Sequence, residues 1–250
     1  MTAPPPVAAA ADSSGAVPAA AYLASLAGFE RMTTRRLRSL LAAGDPRTAY
    51  LVASGASAPT GPLTSMLADG DLRACWREAA RRRPPEVCWE QCSAAGIEVL
   101  TPDHPAFPAQ LLDDPACPAV LFARGDPTVI DARRVGIVGT RNATQRGRQT
   151  AARFGHELAD AGVVVVSGLA RGIDGAAHRG ALAAGRAPVA AVVGNGLDRP
   201  YPRQHAELWE QVAARGVLLS EWPPGTPPDA FRFPLRNRIL AALVEVLVVV

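Results

Sequence analysis

One stretch constrains the fold of this chain more than any other: VGIVGTRNATQRGRQTAARFGHELADAGVVVVSGLARGID, residues 135–174. It opens with an apolar run, residues 135–138, that ends at Gly139. A polar loop then leads into a segment with helical patterning over residues 147–161. A second apolar run, residues 163–166, ends at Ser167 and Gly168. Strand, crossover helix and strand make a βαβ unit, and runs this uniformly apolar predict strands buried on both faces. The loop after the first strand carries Thr140, Arg141, Asn142 and Thr144, with Gly147 at the helix start. Such a loop turns backbone N–H groups and the positive end of a helix toward one point, which suits a phosphate. The next loop repeats the arrangement with Ser167, Gly168, Arg171 and Gly172.

The rest of the chain arranges itself around this unit. Residues 1–20 are a Pro/Ala/Ser-rich tail with little to bury; disorder is expected there, and its deletion should leave thermal stability nearly unchanged. Residues 21–96 predict a small helical domain with a linker over residues 54–64. Thr33 or Thr34 can cap a helix in it, and Gly44-Asp45-Pro46 stops that helix. Residues 97–250 predict the α/β core. Short strands are expected over residues 97–100, 120–123, 188–193, 217–220 and 246–250, and helices over residues 175–184, 202–215 and 235–243. The proline-rich EWPPGTPPDAFRFP is expected to be neither helix nor inner strand. The fold class read from this order is a Rossmann-like, mostly parallel α/β sheet with helices on both faces and a small N-terminal helical domain.

In an open parallel sheet, ligands bind at the C-terminal ends of the strands. Four loops converge there, over residues 139–147, 167–174, 194–203 and 220–238. They carry Arg141, Arg146, Arg148, Arg171, Arg199, Arg203, Arg232, Arg236 and Arg238. The net charge is only +3, so this is a positive mouth on a near-neutral protein. An arginine rim fits a run of phosphates, and Tyr201, Phe231 and Phe233 can stack bases. The competing reading is a solvated rim paired with internal carboxylates, Arg171 with Asp174 and Arg238 with Glu221, and packing for the aromatics. Asp174 and His178, four apart, can also pair on one helix face.

Several classes are excluded. The chain has no lysine, so no P-loop lysine exists; the bias toward arginine, alanine, glycine and proline reads as genome composition. Gly136 and Gly139 do not complete a dinucleotide fingerprint, and no Asp or Glu follows the second strand to hold a ribose. Cys75, Cys88, Cys92 and Cys117 lack a metal-ligand spacing, so no metal or other cofactor is expected. No apolar run reaches the roughly 18 residues of a membrane span, and no secretory signal opens the chain, so a cytoplasmic protein is expected.

GTRNATQRG, SGLARGIDGAAH, GNGLDRPYP, SEWPPG and FPLRNRI follow one another in the order and spacing of the DprA/Smf family of DNA-processing proteins, which this chain resembles over residues 135–250. Upstream, GIEVLTPDHPAFPAQLLDDPACPAVLFARGD resembles that family's lead-in to the core. The resemblance implies a non-enzymatic, single-stranded-DNA-binding protein that helps load RecA in transformation or recombination, with a possible homodimer. It implies a DNA- and phosphate-binding set of Gly139, Thr140, Arg141, Asn142, Thr144, Gly147, Ser167, Gly168, Arg171, Gly172, Gly194, Gly196, Arg203, Phe233, Arg236, Asn237 and Arg238. It also implies that the core is cut short at its C-terminal end, where the family's sheet continues. In the N-terminal domain it implies a degenerate helix-hairpin-helix: Gly28 stands in place, the second hairpin glycine does not, and Arg35, Arg36 and Arg38 either touch DNA or form a solvated face. The rival class is a Rossmann-fold nucleotide enzyme similar to the nucleoside-monophosphate phosphoribohydrolases, whose PGGxGTxxE signature does not occur here.

Overall fold

The computed structural model describes residues 17–250. The expectation for the tail falls largely outside them; within them, Ala19 and Ala20 already belong to the first helix rather than to a tail. Six helices come first: α1 (Ala19–Ala27), α2 (Thr34–Leu41), α3 (Pro46–Ser54), α4 (Pro62–Met66), α5 (Gly70–Arg82) and α6 (Pro85–Ala94). Their ends follow local chemistry. Thr33 accepts from the Arg36 N–H at the start of α2, and Asp45 from the Thr48 N–H at the start of α3, where Pro46 takes the first helical position. Trp76, fully buried, and Phe29 anchor the interior of this unit.

The core then runs β1 (Glu98–Leu100), β2 (Leu121–Gly125), β3 (Arg134–Val138), α7 (Gln145–Asp160), β4 (Val164–Ser167), α8 (Ile173–Ala184), β5 (Val189–Val192), α9 (Ala206–Arg215), β6 (Gly216–Ser220), α10 (Arg232–Leu243) and β7 (Val246–Val249). The seven strands form one sheet in the order β1-β2-β6-β5-β4-β3-β7. Five of them, from β6 to β7, are parallel, and β2 joins β6 antiparallel, as β1 joins β2.

Side chains alternate between the two faces, as a strand's period of two requires. Ile137, Val165, Val189, Ala191 and Leu218 face the layer that contains Ala151 of α7, Ala177 of α8 and Trp209 of α9. Val164, Val166, Ala190, Val192, Val217 and Leu219 face Phe107, Leu111 and the α10 residues Ile239, Leu240 and Leu243. Several boundaries differ from the sequence reading, among them the starts of α7, α8, α9 and α10 and the start of α4 inside the expected linker. α8 starts at Ile173, within the glycine loop. α10 starts at Arg232 and takes in Pro234, because a proline in the first helical turn removes an N–H that has no partner there anyway. Among the described residues no helix is long and apolar enough to cross a membrane.

Candidate functional site

The loops after β3, β4, β5 and β6 meet at one end of the sheet. The first is shaped by its own hydroxyls. Thr144 caps α7 by accepting the Gly147 N–H at 3.1 Å, and Thr140 accepts the Asn142 N–H at 3.2 Å. The second loop is locked onto the first by the Ile173 N–H, which donates to the Thr140 carbonyl at 3.3 Å. Gly172 has φ +80° there, and a Cβ on it would sit 2.2 Å from that same carbonyl oxygen, so only glycine closes the contact. Leu169, fully buried, also adopts a left-handed backbone, with φ 54°, a conformation a branched side chain enters at a cost of about 1–2 kcal/mol.

Beneath these loops lies a buried ion pair. Arg236 and Asp174 stand 3.6 Å apart with 5% of each side chain exposed. Arg236 also donates to the Gly168 carbonyl at 2.9 Å, to the Val192 carbonyl and to Oδ1 of Asn237. Burial pushes the Asp174 carboxyl up; Arg236 and the N–H groups of Ala170, Gly168 and Gly139 oppose that shift. This arrangement corrects three expectations. Arg236 braces the loops from below instead of standing on the rim. Asp174 pairs with Arg236, not with Arg171. The Gly139 and Gly168 N–H groups, expected to face a ligand, are instead among the groups that hold down the Asp174 carboxyl against its burial. Gly168 is glycine because a Cβ would lie 2.0 Å from the Arg236 guanidinium.

His178 does not pair with Asp174 either. Its Nε2 faces the Ala190 carbonyl at 3.0 Å, its Nδ1 has no partner among the described residues, and burial pulls its pKa down to about 4. Ser167 is buried with its hydroxyl donating to the Ile137 carbonyl. Arg238 is bound to Glu221, as the sequence reading allowed, and donates to the Ala116 carbonyl at 2.6 Å.

Above the brace opens a small cavity of about 40 Å³, lined by Arg141, Gly168, Ala170, Arg171, Val193, Gly194, Asn195, Tyr201, Pro202 and Phe233. Tyr201 and Phe233 stack with ring centroids 5.6 Å apart and planes at 30°. The Arg141 guanidinium carbon lies 4.5 Å from the Phe233 centroid. Gly194 passes close to that ring: a Cβ on it would meet Phe233 at 3.3 Å. The Asn195 side chain, donating to the Gly196 and Arg199 carbonyls, and Ser220, donating to the Asn195 carbonyl, fix the GNG loop beside it. No carboxylate lines the cavity. Arg141, Arg146, Arg148, Arg171, Arg203 and Arg232 make no ion pair among the described residues. The structure thus brings together Arg141, Gly168, Arg171, Gly194 and Phe233 of the expected set. It places Thr140, Asn142, Thr144, Gly172, Gly196 and Arg203 in the surrounding loops, Gly147 in the first turn of α7 and Asn237 on α10, and Ser167, Arg236 and Arg238 in structural contacts. Ala170, Val193, Asn195 and Pro202 were missed. Asn195, inside the GNG signal between two glycines of the set, carried the cue.

Comparison with known proteins gives a consistent picture. A family model described as DNA recombination-mediator protein A matches residues 98–250. The chain is similar to the DNA processing protein DprA of Bacillus subtilis, 40% identical over 156 residues, which cover 62% of this chain and 52% of that protein. It is similar to the protein Smf of Escherichia coli, 37% identical over 165 residues, covering 66% of this chain and 43% of that one. The chain spans about half the length of the curated relatives it matches or less. Among solved structures, DprA of Streptococcus pneumoniae superposes with a TM-score of 0.68 at 26% identity, covering 91% of this chain and 75% of that one. DprA of Helicobacter pylori, described for its single-stranded-DNA binding mode, superposes with a TM-score of 0.53 at 32% identity over 61% of this chain and 68% of that one.

Proposed function

We propose, from the premise that this chain belongs to the family of DNA recombination-mediator protein A, that its cavity at the strand ends binds single-stranded DNA without chemistry on the strand. The observation that carries the reading is the pairing of an unneutralised arginine rim with a stacked aromatic pair in a cavity free of carboxylates. Arg141 and Arg171 take phosphates, with Arg203 at the approach. Thr140, Asn142, Thr144 and Gly147 hold the first loop open to the backbone of the strand, and Gly172, Gly194 and Gly196 let the chain pass close to it. Phe233 and Tyr201 offer ring faces to unstacked bases, an interaction worth roughly 1–3 kcal/mol per base and available only when the strand is unpaired. An enzyme that hydrolyses a nucleotide needs an acid or base beside the scissile bond; the cavity lining carries no carboxylate, imidazole or thiol, and Tyr201 is its one ionisable acid. On family membership alone, we further propose that the protein helps load RecA on the bound strand and can form a homodimer.

Fluorescence anisotropy with labelled oligothymidine tests the reading. Single strand should bind more tightly than duplex of the same length. Affinity should fall with salt, with a log–log slope of about −0.7 per phosphate neutralised. A duplex preference, or an affinity indifferent to salt, would overturn it.

A further inference from the structure

The helical unit carries a second groove, away from the strand ends. It is open to solvent and lined by Thr34, Arg35, Arg38, Ser39, Ala42, Pro115 and Ala116. We propose that this groove is a second phosphate-binding surface, which takes the same single strand where it leaves the mouth; the inference rests on the single-stranded-DNA reading above.

The charge distribution within the helical unit is the first argument. The basic run at the end of α5 is neutralised: Arg81 and Arg82 face Glu78 at 3.7 and 3.4 Å, and Arg82 faces Glu30 at 3.6 Å. Arg31 likewise pairs with Asp69 at 3.0 Å. Those arginines behave as an ordinary solvated face. α2, TRRLRSLL, contains no acidic residue, and its three arginines make no ion pair among the described residues. Two of the three line the groove. Arg38 is held in place by donating Nη1–H to the Pro115 carbonyl at 2.5 Å, which leaves the other donors of its guanidinium fork to a ligand. Arg35 is exposed and its side chain makes no hydrogen bond among the described residues. The carboxylate of nearby Asp114 is engaged by the Ala116 N–H at 2.7 Å. Two guanidinium groups with small residues between them suit a phosphodiester chain; the hydroxyls of Thr34 and Ser39 are already donated, to Glu221 and to the Arg35 carbonyl.

Position is the second argument, and it is independent of charge. α10 begins at the mouth, where it supplies Phe233. Five residues on, about 7.5 Å along the axis, Arg238 donates to the Ala116 carbonyl at 2.6 Å and to Oγ1 of Thr34 at 3.4 Å. Both partners belong to the second groove. Glu221, which ends the β6 side of the mouth, receives the Thr34 hydroxyl at 3.3 Å and pairs with Arg238. One short helix therefore borders both surfaces, and no further element is needed to lead a strand from one to the other.

The test compares oligothymidines of about six and about twenty nucleotides, lengths that bracket the site sizes of single-strand binders. The variant is Arg35→Glu, chosen because its side chain makes no internal hydrogen bond or ion pair. The parent should bind the longer strand more tightly and with a steeper salt slope. Arg35→Glu should melt like the parent, bind the short strand like the parent, and lose about fivefold or more on the long strand with a shallower slope. Equal binding of the long strand by parent and variant overturns the proposal, and so does an equal loss on both lengths. Displacement of the long strand by polyglutamate as efficiently as by unlabelled oligothymidine also overturns it, in favour of an acidic protein partner. Arg141→Ala, measured in parallel, separates the two readings: its failure to weaken either length removes the mouth as the primary site, whatever Arg35→Glu does.

Discussion

Arg141 stands at the edge of the mouth with its guanidinium over the Phe233 ring and no carboxylate partner among the described residues. A phosphate offers it a charge-assisted bond worth roughly 1.5–3 kcal/mol, whereas a cation–π contact at an exposed site is worth about 0.5–1 kcal/mol. The contact with the ring thus positions the arginine without holding it back. Arg141→Ala should weaken oligothymidine binding about tenfold or more in anisotropy titrations while the melting temperature does not fall; a fall in melting would mean that Arg141 braces its loop instead. His178 reports on a different property. It is neutral and fully buried in the fold, with a pKa of about 4 against an ordinary 6.5. Its depressed value contributes about 3 kcal/mol of stability that is complete above pH 6.5 and is lost progressively as the pH falls toward 4, because the unfolded chain takes up the proton first. His205 is shifted down by burial as well and acts in the same sense. Urea denaturation between pH 7 and 4.5 should show this loss, and His178→Gln, which keeps a donor for the Ala190 carbonyl, should flatten it in part. An unchanged slope in the variant would assign the acid sensitivity elsewhere.

Among the elements, α10 serves three ends at once: Phe233 enters the mouth, Arg236 ties down the glycine loop, and Arg238 binds the seam with the helical unit. Arg236→Met keeps the volume and removes the charge, leaving Asp174 buried without its counter-ion, a loss expected to destabilise the fold by about 3–5 kcal/mol in urea denaturation. A loss below about 1 kcal/mol would show that Asp174 is neutral in the fold and the pair is not ionic. α10 also shows what the sequence could and could not disclose. The parallel strands from β3 to β6 were legible because each is a largely apolar run ending at glycine or serine, and the loops at their ends were legible with them. The inward direction of Arg236 was partly written in the chain, since it lies four and seven residues before Leu240 and Leu243, on the apolar side of the helix. Its partner was not, because Asp174 lies on α8 and no spacing rule links two helices on opposite faces of a sheet. The helix start was misplaced for a local reason: Pro234 looks like a breaker until it is known to occupy the first turn.

At the scale of the whole molecule, the helical unit and the α/β core share one interior. A single contiguous apolar cluster runs from Leu26, Leu40 and Trp76 through Cys92 and Val99 to Val165, Ala177 and Trp209. A polar contact reinforces the junction: Arg83, whose carbonyl accepts the Ser25 hydroxyl within the helical unit, donates to the Pro224 carbonyl of the core at 2.8 Å. A continuous core predicts one cooperative thermal transition, with calorimetric and van't Hoff enthalpies in agreement; two resolved transitions would show that the units fold separately. The unneutralised mouth has a further consequence for the protein while it waits for a ligand. Six guanidinium groups without an ion-pair partner among the described residues stand around these loops, where dissolved anions screen their mutual repulsion. At low ionic strength this end of the molecule is the fold's point of electrostatic frustration. Any polyanion in a cell extract relieves it, so protein prepared in dilute buffer should carry nucleic acid through purification. Its absorbance ratio at 260 and 280 nm should fall to that of bare protein only after a high-salt wash.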